Sequence, residues 1–342
     1  MWDNKASKNI GVVVGMAKQT VQGKGFEYAC IKTFYKALTE LGMRCEIEES
    51  KAYLTAQDNF QKLDGILQED MFQAAKASLT TILKAEPNLS NGQELVTLSI
   101  LVDKSGGDGD VRDIVFIKGE TDWEIGISCK HNHHALKHSR LSNDIDFGLK
   151  WLGLPVSNDY FEAIKPVFTR LATLRDETKH LDKAEQHKWT MFENKEVEIY
   201  LPVLEAFKFE LLRLYEQHQD VPQLLIEYLL GRKDFYKVIA KDKERKTIVQ
   251  AFNLNDTLSI NYQTIRPKTR VKGLSTVLPT RIFSLDYKRG SKNTLELIMD
   301  NGWSISFRIH NASSRVEPSL KFDIQLIGIP QSVTNVEEYW ED

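Results

Sequence analysis

The sequence predicts a mixed α/β (α+β) fold, with a helix-and-sheet core, a helical insertion and a mostly β C-terminal part. Three observations lead to this prediction: early segments with apolar residues at helical spacing, three alternating segments within residues 92–130, and a series of short alternating segments after residue 246. A helix followed by an antiparallel meander is a common core pattern in such folds.

The first elements are two helical regions and a meander. Apolar residues recur along Lys24–Gly42 at helical spacing, and Gly42 stands where a C-terminal cap is expected. A second helical region covers about Ala56–Ala85 and is broken near Gly65. Strands are then predicted in GQELVTLSILVD, RDIVFI and WEIGISCK, which are joined by the turn-rich segments KSGGDGDV and KGETD.

The rest of the chain divides into a helical part and a β part. Helical periodicity runs from about His134 to Lys241, as in PVLEAFKFELLRLYEQH and PQLLIEYLLGRKDFYKVIAK. Strands are predicted from Thr247 onward, in TIVQAFNL, LSINYQT, RIFSLDYK, TLELIMD, WSISFRIH and SLKFDIQLIGI. We therefore predict a core over residues 1–150, a helical region over 151–245 that packs on it, and a mostly β domain over 246–342.

The composition is that of an ordinary globular protein, with 42% apolar and 27% charged residues and a net charge of −3. No apolar run approaches the length of a membrane span, and the N-terminal apolar block is too short for a signal peptide. The three cysteines, Cys30, Cys45 and Cys129, have no paired spacing. This favours free thiols and a cytoplasmic location.

Alternation along WEIGISCK decides which side chains can cooperate. Side chains two positions apart share a strand face, so Ser128 and Lys130 point one way and Cys129 points the other. An antiparallel hairpin through KGETD brings the start of RDIVFI beside the end of WEIGISCK, so Asp113 and Lys130 are expected to be neighbours. The alternative is structural: Asp113 closes a turn, and Lys130 extends its ammonium group into solvent at a strand end.

An acid and a lysine that lie together at the ends of two adjoining strands are suited to phosphodiester hydrolysis. The carboxylate would bind Mg²⁺, and the lysine would stabilise charge on phosphorus or help to orient and deprotonate the attacking water. The PD-(D/E)xK nucleases use such a metal-binding acid beside a catalytic lysine. Here, however, Ser128 occupies the position two residues before the lysine, where their second carboxylate usually lies. Glu27, on the first predicted helix, is our candidate for the missing ligand, and Asp110 is a second candidate.

Several runs, DVRDIVFI, WEIGISCKHNHHALKHSRLS, DFGLKWLGLPVS, YFEAIKPVF and the early GFEYA, resemble the HaeIII family of type II restriction endonucleases. The resemblance implies a restriction-endonuclease-like core with a mixed sheet flanked by helices. It also implies Mg²⁺-dependent cleavage of double-stranded DNA within GGCC, and a partner methyltransferase that protects host DNA. Carried over by position, Asp113 becomes the metal-binding acid and Lys130 the catalytic lysine, and Ser128 is where the superfamily pattern is broken.

Four histidines, His131, His133, His134 and His138, raise the alternative of a zinc site. No cysteine pair or close carboxylate completes a tetrahedral set, apart from Cys129 on the opposite strand face. We therefore favour DNA contact: HNHHALKHSR would begin a helix after the catalytic strand, and its polar side chains would reach phosphates or groove edges. The candidate contacts are Asn132, His133, Lys137, His138 and Arg140.

The charge distribution indicates a second DNA-contact region. Residues 241–294 contain 12 Lys and Arg but only 4 Asp and Glu, although the whole chain is slightly acidic. Such a segment is typical of a phosphate-backbone surface, and the alternative is a solvated face. A bidentate arginine also fits the two major-groove acceptors of guanine. The candidate contacts are Arg266, Lys268, Arg270, Lys272, Arg281, Lys288 and Arg289.

These observations favour a metal-dependent, site-specific endonuclease. A palindromic site is normally read by a two-fold symmetric protein, so we expect a homodimer. Two rival functions stay open. One is a DNA-binding protein without catalysis, and the other is a metal-dependent phosphohydrolase that acts on small substrates.

Overall fold

The computed structural model describes residues 6–102, 110–119, 123–132, 135–260 and 275–341. The helices are α1 (Ala6–Glu40), α2 (Lys51–Gln61), α3 (Gly65–Ala85), α4 (Phe147–Leu152), α5 (Asn158–Thr178), α6 (Leu201–Gln217) and α7 (Val221–Leu230). The strands are β1 (Cys45–Ile47), β2 (Val96–Ile100), β3 (Ile114–Lys118), β4 (Glu124–His131), β5 (Ala135–Leu141), β6 (Phe235–Lys241), β7 (Lys246–Phe252), β8 (Ile282–Tyr287), β9 (Thr294–Met299), β10 (Ser304–Asn311), β11 (Leu320–Gly328) and β12 (Thr334–Tyr339). No helix within these residues has both the length and the apolar character needed to cross a membrane.

The chain forms two compact units, each assembled from stretches that are distant in sequence. The seven-stranded unit comprises Met16–His134, Leu230–Val277 and Pro330–Asp342. The five-stranded unit comprises Met1–Gly15, Ala135–Leu229 and Leu278–Ile329. The predicted domains over residues 1–150, 151–245 and 246–342, and their expected contacts with DNA, stay predictions.

The seven-stranded unit is built on a mixed sheet with the strand order β1-β2-β3-β4-β6-β7-β12. The pairs β1–β2 and β4–β6 are parallel, and the other neighbours are antiparallel. This confirms the predicted mixed sheet and the predicted meander of β2, β3 and β4. The parallel pairing of β4 with β6 brings a strand from late in the chain beside WEIGISCK.

Three helices pack against one face of this sheet. Buried side chains of α1, α2 and α3, among them Phe34 and Phe60, form one core with strand residues such as Ile127 and Val238. Gly25 permits a close helix approach, because a Cβ there would come within 2.7 Å of the Leu63 side chain. The close packing of α1 at this point therefore depends on a residue without a side chain, two positions before Glu27.

The predicted helix boundaries have identifiable causes. The α1 helix begins earlier than predicted and ends at Glu40, and Gly42 follows with a left-handed φ of 83°. The predicted break near Gly65 separates α2 from α3. There the Asp64 side chain accepts a hydrogen bond from Leu67 N and caps α3, as Ser50 caps α2.

The five-stranded unit has an antiparallel sheet with the order β5-β11-β10-β9-β8. Aromatic side chains from α4 and α6 pack on it: the Phe207 ring centroid lies 4.8 Å from that of Phe147 and 4.9 Å from that of Phe322. Strands β8 to β11 confirm the predicted β character of the C-terminal part.

Two segments that were predicted to be helical are strands. HNHHALKHSR contributes β5, which pairs with β11, and KDFYKVIAK contributes β6, which lies between β4 and β7. Gly231, with a φ of 79°, ends the helix before β6. The helix prediction was wrong in both places because the hydrogen-bond partners that stabilise these strands lie far away in sequence.

Three further differences concern the C-terminal strands. TIVQAFNL forms β7, which belongs to the seven-stranded sheet and not to a separate C-terminal sheet. The prediction did not include β12 as a strand. LSINYQT contributes no strand at 258–260, and its remaining residues lie outside the described part of the chain.

Candidate active site

The start of β3 and the end of β4 meet as the hairpin prediction requires. Asp113 N donates a hydrogen bond to Ile127 O at 2.8 Å, and the paired residues continue from Ile114 opposite Ile127. Lys130 Nζ lies 3.2 Å from Asp113 Oδ2, although 17 positions separate the two residues. The predicted neighbour relation between the acid and the lysine is confirmed.

The Asp113 carboxylate is held by three donors on its Oδ2 atom. Cys129 N donates at 2.6 Å, and Ser128 Oγ and Lys130 Nζ each donate at 3.2 Å. Within the described residues, no group donates a hydrogen bond to Oδ1 of this carboxylate. One oxygen is therefore fixed by the protein, and the other is available to a cation.

Lys130 is suited to carry positive charge. Burial, the largest single influence, would lower its pKa, but the charge and hydrogen bond of Asp113 together with the electrostatic influence of Cys129 and Glu27 outweigh burial, and the pKa is raised. The ammonium group therefore stays protonated at neutral pH. This favours stabilisation of charge on a phosphate over abstraction of a proton from water.

Glu27 lies in the same electrostatic environment. The residue is only 6% exposed, and its Oε2 atom lies 3.1 Å from Lys24 Nζ. Burial, and after it the negative charge of Asp113, raises the pKa of Glu27 to about 8, while Lys24 and Lys130 act in the opposite direction. The neighbouring Asp113 carboxylate thus disfavours the ionisation of this buried acid, and a bound cation would favour the ionised form.

Asp110 is engaged elsewhere. Its carboxylate forms a bidentate pair with Arg112, with Arg112 Nε at 2.8 Å and Nη2 at 2.7 Å. The same guanidinium lies 3.1 Å from Glu124 Oε1, and the Arg112 side chain passes over Gly126. The Asp110 carboxylate is thus already paired with a buried guanidinium, and its role as a metal ligand stays a prediction.

The donor set fits Mg²⁺, which usually takes one or two protein carboxylates and keeps several waters. Asp113 offers its Oδ1 atom, which accepts no hydrogen bond from the described part of the chain, and Glu27 offers a buried carboxyl group whose ionisation a cation would favour. Within the residues that the structure describes, no group of three or more His, Cys, Asp or Glu side chains is arranged to hold a metal ion.

The histidine-rich segment belongs partly to the end of β4 and partly to β5. His131 is buried, and its Nε2 atom lies 3.0 Å from Asp242 Oδ2. Asn132, with a left-handed φ of 58°, donates to Asp242 Oδ2 at 2.8 Å and accepts from Asp242 N at 3.1 Å. These contacts tie the end of β4 to the end of β6, next to Lys130. His133 lies outside the described residues.

The other predicted contacts of this segment lie on β5, in the five-stranded unit. Lys137 Nζ sits 3.7 Å from the centre of the Tyr228 ring, and burial lowers its pKa to about 8. His138 and Arg140 are exposed, with His138 Nδ1 at 3.7 Å from Asp323 and Arg140 Nη1 at 2.9 Å from Ser319. Their DNA contacts stay a prediction, now from a strand and not from a helix.

The predicted base readers fall into two groups. Arg281, Lys288 and Arg289 are exposed on or beside β8, and the Arg281 side chain is 69% exposed at 3.9 Å from Asp300. The other four, Arg266, Lys268, Arg270 and Lys272, lie outside the described residues. Their role in DNA binding stays a prediction.

Sequence reasoning missed one residue of this site, Lys237. It lies on β6, opposite Ser128 on β4, and is buried. Burial and the positive charge of Lys130 lower its pKa to about 7, whereas Asp113 acts in the opposite direction. The alternation of FYKVIAK could have indicated a strand, but it was read as the end of a helix.

A mixed sheet that holds an acid and a lysine on adjoining strands is consistent with a restriction-endonuclease-like nuclease. Comparison with known proteins agrees with that class. The family model for the HaeIII restriction endonuclease matches residues 23–330, and the chain belongs to this family. It is 40% identical to the type II restriction enzyme HaeIII of Haemophilus aegyptius over 326 residues, which cover 95% of this chain and 99% of that enzyme. No solved structure matches the chain significantly.

Proposed function

We propose that the protein is a Mg²⁺-dependent type II restriction endonuclease that hydrolyses double-stranded DNA within the palindrome GGCC. The observation that carries the proposal is the contact between Lys130 Nζ and Asp113 Oδ2 at 3.2 Å, with the buried Glu27 carboxyl group in the same electrostatic environment. Family membership and the 40% identity to HaeIII support the substrate class and the recognition site.

Asp113 and Glu27 would hold the Mg²⁺ ion, which when bound polarises the phosphoryl oxygen and lowers the pKa of a coordinated water. Lys130 neutralises charge that builds on the scissile phosphate, because its ammonium group stays protonated beside Asp113. Water is the nucleophile, and the products carry 5′-phosphates.

Ser128 has a positioning role in this proposal. Its hydroxyl group donates to Asp113 Oδ2 at 3.2 Å, next to the backbone donor Cys129 N. Together these donors hold the carboxylate in one orientation through Oδ2 and leave Oδ1 to a cation. A serine thus orients the first ligand at the position where a second carboxylate would otherwise stand.

DNA binding is proposed for exposed basic residues of both regions that the sequence indicated. Arg281, Lys288 and Arg289 present their charges to solvent, as does Arg140 on β5. The palindromic site favours a homodimer. We further propose that a cognate methyltransferase acts on the same site without forming a stable complex, and that the protein works in the cytoplasm.

Digestion of plasmid DNA with and without Mg²⁺ tests the proposal. Wild-type protein should give discrete fragments whose ends map to GGCC, whereas the Lys130→Ala variant should leave the plasmid intact. A retarded but uncut plasmid with wild-type protein would support a DNA-binding protein without catalysis. Hydrolysis of small phosphodiesters without preference for duplex DNA would support a phosphohydrolase.

A further inference from the structure

A row of polar side chains crosses the seven-stranded sheet from the candidate active site. We call it the polar row, and it consists of Asp113, Ser128, Lys237, Gln250 and Asn335. Ser128 pairs with Lys237, Lys237 with Gln250, and Gln250 with Asn335, so these four side chains share one sheet face. Asp113 stands one residue before β3 and continues the row through the hydrogen bond from Ser128.

The residues next to the polar row show that it is not simply a hydrophilic surface. Ser128, Lys237 and Gln250 are 3%, 2% and 4% exposed, so the middle of the row is buried. One step along the strands, Ile239 pairs with Ile248 on the same face. A lysine in this position is therefore an exception within an otherwise well-packed sheet.

The strand register of the sheet places Lys237 near Asp113 and Lys130. Asp113 and Lys237 are two strands apart in one row, a Cα separation of roughly 10 Å at about 4.8 Å per strand. Ser128, which stands between them, is small, and the lysine has a flexible four-carbon stem. The electrostatic influence of both Lys130 and Asp113 on the pKa of Lys237 agrees with this proximity.

The charges of the cluster are complementary to a phosphodiester. Three lysines, Lys24, Lys130 and Lys237, face two carboxyl groups, those of Glu27 and Asp113. Burial of the positive charges of Lys130 and Lys237 beside each other is unfavourable unless an anion lies between them. The scissile phosphate is an anion that Lys130 and Lys237 could contact together, and its charge would hold Lys237, whose pKa is lowered to about 7 without it, in the protonated form.

We infer that Lys237 is a second catalytic lysine of the proposed nuclease, which contacts the scissile phosphate from β6 while Lys130 contacts it from β4. The inference rests on the proposed function. Lys237 stabilises the additional negative charge that the phosphate carries in the transition state, as preorganised cations do in other phosphoryl-transfer sites. Gln250 lies next to Lys237 in the polar row and donates a hydrogen bond to Asn335 Oδ1 at 3.4 Å.

Two variants test the inference. Lys237→Gln and Lys237→Met both remove the charge and keep most of the side-chain volume. The matched control is Lys118→Met, since Lys118 is also 2% exposed in this sheet but binds the backbone oxygens of Asn88 and Asn91. For each protein we would measure the single-turnover cleavage rate at saturating GGCC duplex, the Kd for that duplex in Ca²⁺, and the Tm.

We expect the Lys237 variants to cleave at least about tenfold more slowly than wild type, with the Kd in Ca²⁺ unchanged within about threefold. Their Tm should stay close to that of wild type, whereas Lys118→Met should melt at lower temperature and, while folded, cleave at the wild-type rate. Wild-type cleavage rates in both Lys237 variants would overturn the inference. So would a loss of folding in both, which would assign Lys237 a structural role. If wild-type protein itself fails to cut DNA, the proposed function fails, which is a different result.

Discussion

Replacing Glu27 by glutamine should remove a part of the pH dependence of stability in the metal-free protein. Burial, followed by the negative charge of Asp113, raises the pKa of Glu27 from 4.5 to about 8. The folded state therefore binds this proton more tightly than the unfolded state does. As the pH rises from 4.5 toward 8, the unfolded chain gives up the proton first, so the free energy of unfolding falls. The amide of the Glu27→Gln variant has no such proton to lose, so the variant would escape this loss of stability.

The size of the effect follows from the shift in pKa. One unit corresponds to about 1.4 kcal/mol, so Glu27 should cost wild-type stability roughly 4 kcal/mol at about pH 8 but under about 1 kcal/mol near pH 5. The variant keeps an amide oxygen that can accept the hydrogen bond from Lys24, which now lies 3.1 Å from Glu27. The stability gained by the variant should therefore grow with pH and level off above about pH 8.

Denaturant unfolding in EDTA, near pH 5, 6.5 and 8, measures this difference. Glu40→Gln is the matched control, because Glu40 lies exposed at the end of the same helix. Addition of Ca²⁺ near pH 8 should stabilise wild type more than Glu27→Gln, because metal binding favours the ionised carboxylate. A stability difference between variant and wild type that is constant over this range, or that shrinks as the pH rises, would show that the pKa of Glu27 is not raised in the folded protein.

Three other substitutions test the site. Lys130→Ala should lower the single-turnover cleavage rate by about 10²–10³ while gel shifts in Ca²⁺ still detect specific binding; weaker binding with unchanged chemistry would contradict its role. Asp113→Asn should keep an oxygen for Cys129 N but abolish Ca²⁺ binding in calorimetry, and an intact titration would exclude it as a ligand. Gly126→Ala should lower the free energy of unfolding by about 1–3 kcal/mol, because the new methyl group would overlap Arg112 and displace it from Asp110; an unchanged Tm would contradict this.

Local sequence patterns were sufficient to predict the hairpin that carries the acid and the lysine. Its strand period of two places Ser128 and Lys130 on one face, and the short connection requires antiparallel pairing, so Asp113 had to meet Lys130. Both signals are local, and the structure confirms the contact at 3.2 Å. The break between α2 and α3 was equally local, because it depends on a capping aspartate, Asp64.

The parts of the fold that depend on distant partners could not be predicted from local patterns. The segments of β5 and β6 have ambiguous periodicity, and they are strands because β11 and β4 supply their hydrogen bonds. Lys237 reaches the active site solely through that parallel pairing, and the raised pKa of Glu27 arises from burial that no local pattern encodes. Backbone hydrogen bonds between strands and the loss of water around a carboxyl group are properties of the assembled sheet and helices. A sequence can indicate which residues are suited to such positions, but the chain must fold before their charges interact.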